Sequence, residues 1–232
     1  MIRLENISKS FKGADGEVRA LCDIDLTIDD GEIFGIIGPS GAGKSTLLRC
    51  INLLERPDSG KVIVDGTDMM SLDRRQLREF RGNIGVVFQQ FNLLPQKTVE
   101  ANVRYPLDIA GIGKSDAENR VAELLELVGI AAKAHEYPSR LSGGQQQRVA
   151  IARALSTNPR IVLCDECTSA LDPMTTESIL SLLRRLNDSF GITMVLVTHD
   201  MGVVETACDK TALLEEGVLV SVEDVARKDA IV

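Results

Sequence analysis

The chain contains no tryptophan, and aromatic residues fill only 3% of its 232 positions, which argues against broad base-stacking platforms for single-stranded nucleic acid. A basic excess is also missing: 26 lysines and arginines stand against 34 acids, a formal net charge of −8. A general nucleic-acid binder would carry a basic surface and is argued against, while the balance says nothing about a small anionic ligand held by a few placed donors. Long apolar runs are lacking too. Strings such as IVLC and MVLV are about a quarter of what a membrane-spanning helix needs, so any membrane role is expected to be peripheral. The opening MIRLENISKSFKG has neither an apolar core nor a cleavage site and is not expected to act as a signal peptide. The five cysteines (Cys22, Cys50, Cys164, Cys167, Cys208) are odd in number and scattered, unlike a secreted disulfide framework. A reducing, cytoplasmic compartment is expected. The chain carries no internal repeats and no low-complexity linker.

What is present is 44% apolar content, enough for one sizeable α/β domain with room for a subdomain. Residues 1–37 read as short strands: IRLENI, VRALCDIDLTI with alternating apolar positions, and EIFGIIG, an isoleucine-rich run of the kind buried in parallel sheets. GKVIVDG and IGVVFQQ read as further strands. In SDAENRVAELLELVG, Ser115 and Glu118 have capping-box spacing, and Val121, Leu124, Leu125 and Val128 share one helical face before Gly129. GGQQQRVAIARAL predicts a second helix. In DPMTTESILSLLRRLNDSFG, Asp172 suits the cap, Pro173 the first turn, and Ile179, Leu182, Leu183 and Leu186 the buried stripe. ITMVLVTH is another buried strand. Strands and helices thus alternate at both ends around a helical insert.

Gly38, Pro39, Ser40, Gly41, Ala42, Gly43, Lys44, Ser45 and Thr46 fit G-x-x-x-x-G-K-[ST], followed by a second hydroxyl. Glycines let successive backbone N–H groups turn inward around an oxyanion, and the following helix adds its positive end. Lys44 suits the β- and γ-phosphates of a nucleotide, and the Ser45 hydroxyl suits Mg²⁺. The plainer alternative is a glycine turn that merely needs positive φ, but strand before and helix after supply the required context.

IVLCDECTSALDP poses a choice between a C-x-x-C thiol site and the acid pair Asp165-Glu166. Ligands of parallel sheets collect at carboxyl ends of strands, so Asp165 suits the shell of the Mg²⁺ held by Ser45. Glu166 is placed to take a proton from a water attacking the γ-phosphate. Cys164 belongs to a buried strand, where a thiol behaves as a small hydrophobe, and a carboxylate beside Cys167 disfavours a thiolate. No second cysteine pair or nearby histidine completes a zinc set.

Leu141, Ser142, Gly143, Gly144 and Gln145 spell LSGGQ, the signature pentapeptide of ATP-binding-cassette (ABC) ATPases, placed between the phosphate loop and the acid pair. Gln89 in VVFQQ, Ser169-Ala170-Leu171-Asp172, and His199 in VTHD resemble that family's Q-loop, D-loop and switch histidine. Phe11 stands where such proteins carry the aromatic that stacks on adenine. His199 by itself would more often be a structural histidine at a strand end. The resemblance covers essentially the whole chain. It implies a P-loop NTPase (RecA-like) core with a mainly parallel sheet, an N-terminal antiparallel β subdomain and an inserted α-helical signature subdomain. Residues 1–90 and 159–232 would form the catalytic core and 91–158 the helical subdomain, all within one ATP-binding domain. It also implies ATP and Mg²⁺ as ligands, with Ser45, Gln89 and Asp165 at the metal, Glu166 and His199 in catalysis, and a homodimer in which each signature segment covers ATP bound to the partner chain.

Within that family, NLLERP, FNLL and LCDECTSALDP resemble the ATPase subunits of bacterial methionine importers, with Cys167 where alanine is usual. The resemblance implies work at the cytoplasmic face of the cell membrane with integral permease subunits and an extracytoplasmic binding protein, without nucleic acid. Importers of this kind usually continue into a C-terminal methionine-binding domain, and the sequence stops at Val232. A polar-amino-acid importer or a lipoprotein or peptide exporter is the alternative. Phe91, Leu93 and Leu94 fit either packing on the helical insert or lining a groove for a membrane subunit.

Overall fold

The structure, a computed structural model, describes residues 1–13 and 16–226. Positions 14–15 and 227–232 of the expected core segments lie outside the described residues.

β1 (Ile2–Gly13) and β2 (Gly16–Ile28) pair antiparallel. They run further than the short strands expected because polar groups carry the pairing across irregular register. Asn6 (φ 50°) and Asp23 (φ 48°) take left-handed backbone conformations there. The Ser8 hydroxyl donates to Asp23 Oδ1 at 2.9 Å and the Asn6 N–H donates to Asp25 Oδ1 at 3.0 Å, replacing ladder bonds lost at a bulge. β3 (Ile33–Ile37) follows, then α1 (Lys44–Ile51), β4 (Ser59–Val64) and β5 (Thr67–Asp68). One sheet has the order β2-β1-β4-β5.

The chain continues through α2 (Arg74–Arg81) and β6 (Ile84–Val87) to three helices, α3 (Val99–Ile109), α4 (Lys114–Leu127) and α5 (Gly143–Ala154). It returns with β7 (Ile161–Asp165), α6 (Pro173–Phe190), β8 (Thr193–Val197), α7 (Met201–Ala207), β9 (Lys210–Glu215) and β10 (Val218–Asp224). The second sheet is ordered β10-β9-β3-β8-β7-β6, parallel except for the antiparallel edge strand β10.

Strand periodicity divides the core between the two faces of this sheet. Val162, Cys164, Met194 and Leu196 point into a cluster shared with Val103, Leu124, Val149 and Leu182 of the helices. Ile161, Leu163, Val195 and Val197 point the other way, against Leu47 of α1 and Ile2, Leu26 and Val62 of the antiparallel sheet. Both faces are covered, which is why these strands read as unbroken apolar runs.

Ile179, Leu182, Leu183 and Leu186 are buried as the α6 stripe, each contributing roughly 1.5–3 kcal/mol of burial. Asp172 Oδ1 accepts from the Thr175 N–H and Pro173 opens the helix, as expected. The α4 stripe and its Gly129 stop (φ 71°) also form. The capping box does not. Gly113 is the N-cap, with no side-chain bond, and Ser115 lies inside the first turn. Glu118 pairs instead with Arg104 of α3 at 3.6 Å and Lys114 at 3.9 Å, a tertiary contact that local spacing does not reveal.

Candidate active site

Parallel strands β3, β7 and β8 are neighbours, so whatever follows each of them meets at one edge. After β3 comes the glycine loop. Gly38 (φ 146°) and Gly43 (φ 98°) take conformations closed to other residues, and a Cβ would lie 2.0 Å from Leu214 O at Gly38 and 2.3 Å from Ala20 O at Gly43. The loop is thus seated on β9 and β2 by two bare Cα atoms, leaving its amides to line a cradle at the start of α1. Lys44 is buried, and its ammonium donates to Gly38 O and Pro39 O, both at 2.8 Å. This folds the cation back over the loop where an anion would sit. Ser40, Gly41 and Ala42 complete the turn, closed by Ala42 N–H donating to Pro39 O at 3.2 Å.

After β7, the Asp165 Oδ1 accepts the Ser45 hydroxyl at 2.7 Å. Arg49, one helical turn beyond Ser45, reaches Asp165 Oδ2 at 3.9 Å. The next residue, Glu166, has φ 48°, while its N–H donates to Val197 O at 3.0 Å. A non-glycine residue in the left-handed region costs of order 1 kcal/mol and persists only where its surroundings over-determine it. Here the conformation aims the carboxylate toward the end of β8, with Glu166 Oε1 3.5 Å from Nδ1 of the exposed His199. Ser169 then donates through its N–H (3.2 Å) and its hydroxyl (2.9 Å) to Glu166 O, tying the segment Ser169, Ala170, Leu171, Asp172 to the acid.

The cysteines beside this acid pair are apolar packing. Cys164 is fully buried and Cys167 nearly so. Contact with Cys167 and burial push the Cys164 thiol well above its ordinary range.

Other expected residues stand apart from the cradle. Gln89 is exposed past the end of β6 and joins no hydrogen bond with Ser45 or Asp165. Phe11 is part-exposed on β1, opposite Val18 of β2 and under the Lys9 ammonium at 5.3 Å. Leu141 is buried, and Ser142 caps α5 in a reciprocal box. Its hydroxyl accepts from Gln145 N–H at 3.4 Å, and Gln145 Oε1 accepts from Ser142 N–H at 3.0 Å. A capping serine still has its own O–H to donate outward. Gly143 and Gly144 leave the helix start bare, but among the described residues no hydrogen bond or ion pair links Leu141, Ser142, Gly143, Gly144 or Gln145 to the phosphate loop, Glu166 or His199. Arg49 left no local signal, because its partner Asp165 comes from a distant strand. The S-x-x-Q box inside LSGGQ was a usable one.

A strand, a glycine cradle, a helix carrying a lysine and a hydroxyl, and an acid at the next strand but one define a P-loop nucleoside-triphosphatase fold. The ABC transporter family profile matches residues 21–169, and the chain belongs to that family. Methionine import ATP-binding protein MetN 3 of Oceanobacillus iheyensis is 54% identical over 94% of this chain and 64% of its own length. MetN of Clostridium acetobutylicum is 56% identical over 97% and 69%. The chain therefore spans about two thirds of the length of such relatives. Among solved structures, the dimeric post-hydrolysis state of the ATP-binding cassette MJ0796 bound to ADP and Pi superposes with a TM-score of 0.89 at 41% identity, covering 97% of this chain and 99% of that one. CbiO1 of Clostridium perfringens, part of a cbiONQ transporter complex, gives 0.87 at 31% identity over 96% and 88%. No helix among the described residues is long and apolar enough to cross a membrane.

Proposed function

We propose that this chain is the ATP-hydrolysing, energy-coupling subunit of a bacterial methionine importer. The observation that carries the reading is the meeting, at one sheet edge, of the Ser45–Asp165 pair at 2.7 Å and the Glu166–His199 pair at 3.5 Å. Relatives named as methionine import proteins at 54–56% identity supply the substrate.

The residues fit both ligands. The bare Cα atoms of Gly38 and Gly43 let the loop sit against β9 and β2 with its own N–H groups left free, and Lys44 already folds over it. Ser45 and Asp165 offer hard oxygens side by side, the donor type that Mg²⁺ prefers, with Gln89 of the loop after β6 as a third ligand. When bound, the ion neutralises charge on the nucleotide's phosphate oxygens. Lys44 and the backbone N–H groups of the Gly38–Thr46 loop other than Pro39 hold the phosphates, and Phe11 stacks on the base. Glu166 accepts the proton of the attacking water, and His199 orients that water and the γ-phosphate.

The bare start of α5 has donors but no lysine of its own, and among the described residues no bond joins it to the phosphate loop of the same chain. Leu141, Ser142, Gly143, Gly144 and Gln145 therefore complete the site of a second copy, giving an ATP-driven homodimer with Ser169, Ala170, Leu171 and Asp172 along its seam. Residues 91–158 act as a helical subdomain on a core of 1–90 and 159–232. The apolar groove beside β6, with Leu94 and the exposed Tyr105 and Ile109, takes a segment of an integral permease at the cytoplasmic face of the membrane. Phe91 and Leu93 pack instead on the helical core. An extracytoplasmic binding protein would deliver the substrate.

The test is reconstitution with permease and binding protein in liposomes. ATP-dependent methionine uptake is expected. Hydrolysis with uptake of another amino acid would keep the enzyme and move the substrate.

A further inference from the structure

The 88–98 loop joining β6 to α3 is pinned from two helices. Asn102 of α3, fully buried, accepts from the Leu94 N–H at 2.7 Å and donates to Leu94 O, Lys97 O and Thr98 O at 2.9–3.1 Å. From α5, Arg153 donates to Asn92 O at 2.6 Å and to Phe91 O at 2.9 Å.

The two carbonyls Arg153 holds belong to consecutive residues in the left-handed region, Phe91 (φ 59°) and Asn92 (φ 49°). Asparagine tolerates this region, but a bulky Phe91 directly before it does not favour the shape on its own. Arg153 is also peculiar as a cation. It is part-buried with no carboxylate partner among the described residues, and burial lowers its guanidinium pKa. A planar fork with parallel N–H donors suits two successive carbonyls turned the same way.

The Phe91 ring also lies near the start of α5: a Cβ added at Gly143 would sit 3.7 Å from Phe91 Cζ, an ordinary van der Waals distance. One loop residue thus binds the helix's last turn through its carbonyl and brings its ring beside the first residue. Asn92 and Leu94 meanwhile line the apolar groove of about 740 Å³ together with Phe88, Tyr105 and Ile109.

We propose that Arg153 is a positioning residue that ties the 88–94 loop to α5, so that a membrane partner's segment entering the groove moves the Ser142–Gly143–Gly144 end of that helix. The coupling rests on the transporter reading above; the tie itself does not. Among the described residues Arg153 has no hydrogen bond or ion pair with the nucleotide cradle; it holds the loop and also lines the groove itself, so hydrogen exchange on the isolated chain reads its hold on the loop free of any direct contact with the partner.

The experiment compares Arg153→Ala and Arg153→Lys as isolated chains and assembled with the permease in liposomes. Isolated Arg153→Ala is expected to hydrolyse ATP within about twofold of the unaltered chain. In the assembly its permease-dependent stimulation should fall about tenfold. Arg153→Lys, which keeps a donor cation but loses the fork, should recover only part of that loss. Hydrogen exchange on the isolated Arg153→Ala chain should quicken at 89–94 and at 143–146 together. Equal loss of basal and stimulated hydrolysis in both variants, or unchanged stimulation, would overturn the coupling. Faster exchange at 89–94 alone would overturn the tie. If the unaltered assembly shows no stimulation, the transporter reading falls and the coupling with it, and hydrogen exchange still decides the tie.

Discussion

Gly144, in the first turn of α5, lies against Thr175 in the first turn of α6: a Cβ at position 144 would come within 2.4 Å of Thr175 Cγ2. Thr175 cannot simply rotate away, because its hydroxyl donates to Asp172 Oδ2 at 2.6 Å. The signature helix and the D-loop helix are therefore seated on each other through a missing methyl.

Gly144→Ala should destabilise the fold by roughly 1–3 kcal/mol of overpacking, less up to about 1 kcal/mol of helix propensity gained. Thr175→Ser removes Cγ2 and keeps the hydroxyl, so the double variant should recover most of the loss. A denaturant double-mutant cycle measures this. Additive losses would show that the two residues do not meet.

Glu166→Gln should bind ATP normally while turnover drops by roughly two orders of magnitude or more, the usual cost of a lost general base. Steady-state hydrolysis beside equilibrium nucleotide binding separates the two quantities. Normal hydrolysis would remove Glu166 from the chemistry.

Burial pushes the Cys50 and Cys208 thiols up to about 12, and Cys164 is raised as well. Thiols held protonated react slowly. A disulfide reagent at pH 8 should label Cys22, the least buried cysteine, in the native chain, and all five after denaturation. Rapid native labelling of Cys164 and Cys167 would revive the thiol-site reading that their burial argues against.

Asp172 caps α6, and the Thr175 hydroxyl and N–H hold its carboxyl below the ordinary carboxylate value. A folded pKa below the unfolded one means that its stabilisation is full above about pH 4 and fades as pH falls through the folded value. Asp172→Ala should lower the melting temperature at pH 7, and that difference should vanish in acid. A difference that persists unchanged at pH 2 would assign the loss to something other than the ionised cap.

Most of this was legible in the sequence wherever local chemistry decides the outcome. The glycine loop, the α6 stripe and the capping pair Asp172–Thr175 follow from backbone sterics and helical period alone. Misreadings came where tertiary partners intervene. Ser115 and Glu118 have capping-box spacing, yet Arg104 of another helix takes the glutamate. α3 was obscured by Pro106 within it, a residue that usually argues against a helix. The left-handed turn at Phe91 and Asn92 left no trace in composition, since the arginine that holds it lies sixty positions downstream.

If each ATP is enclosed by two chains, sedimentation of the Glu166→Gln chain with ATP, with and without Ser142→Arg, reads that enclosure. ATP should drive Glu166→Gln into dimers, whereas the chain carrying both changes should stay monomeric and still bind ATP. Nucleotide-driven dimers that survive Ser142→Arg, or hydrolysis by a strictly monomeric wild-type chain, would contradict that enclosure.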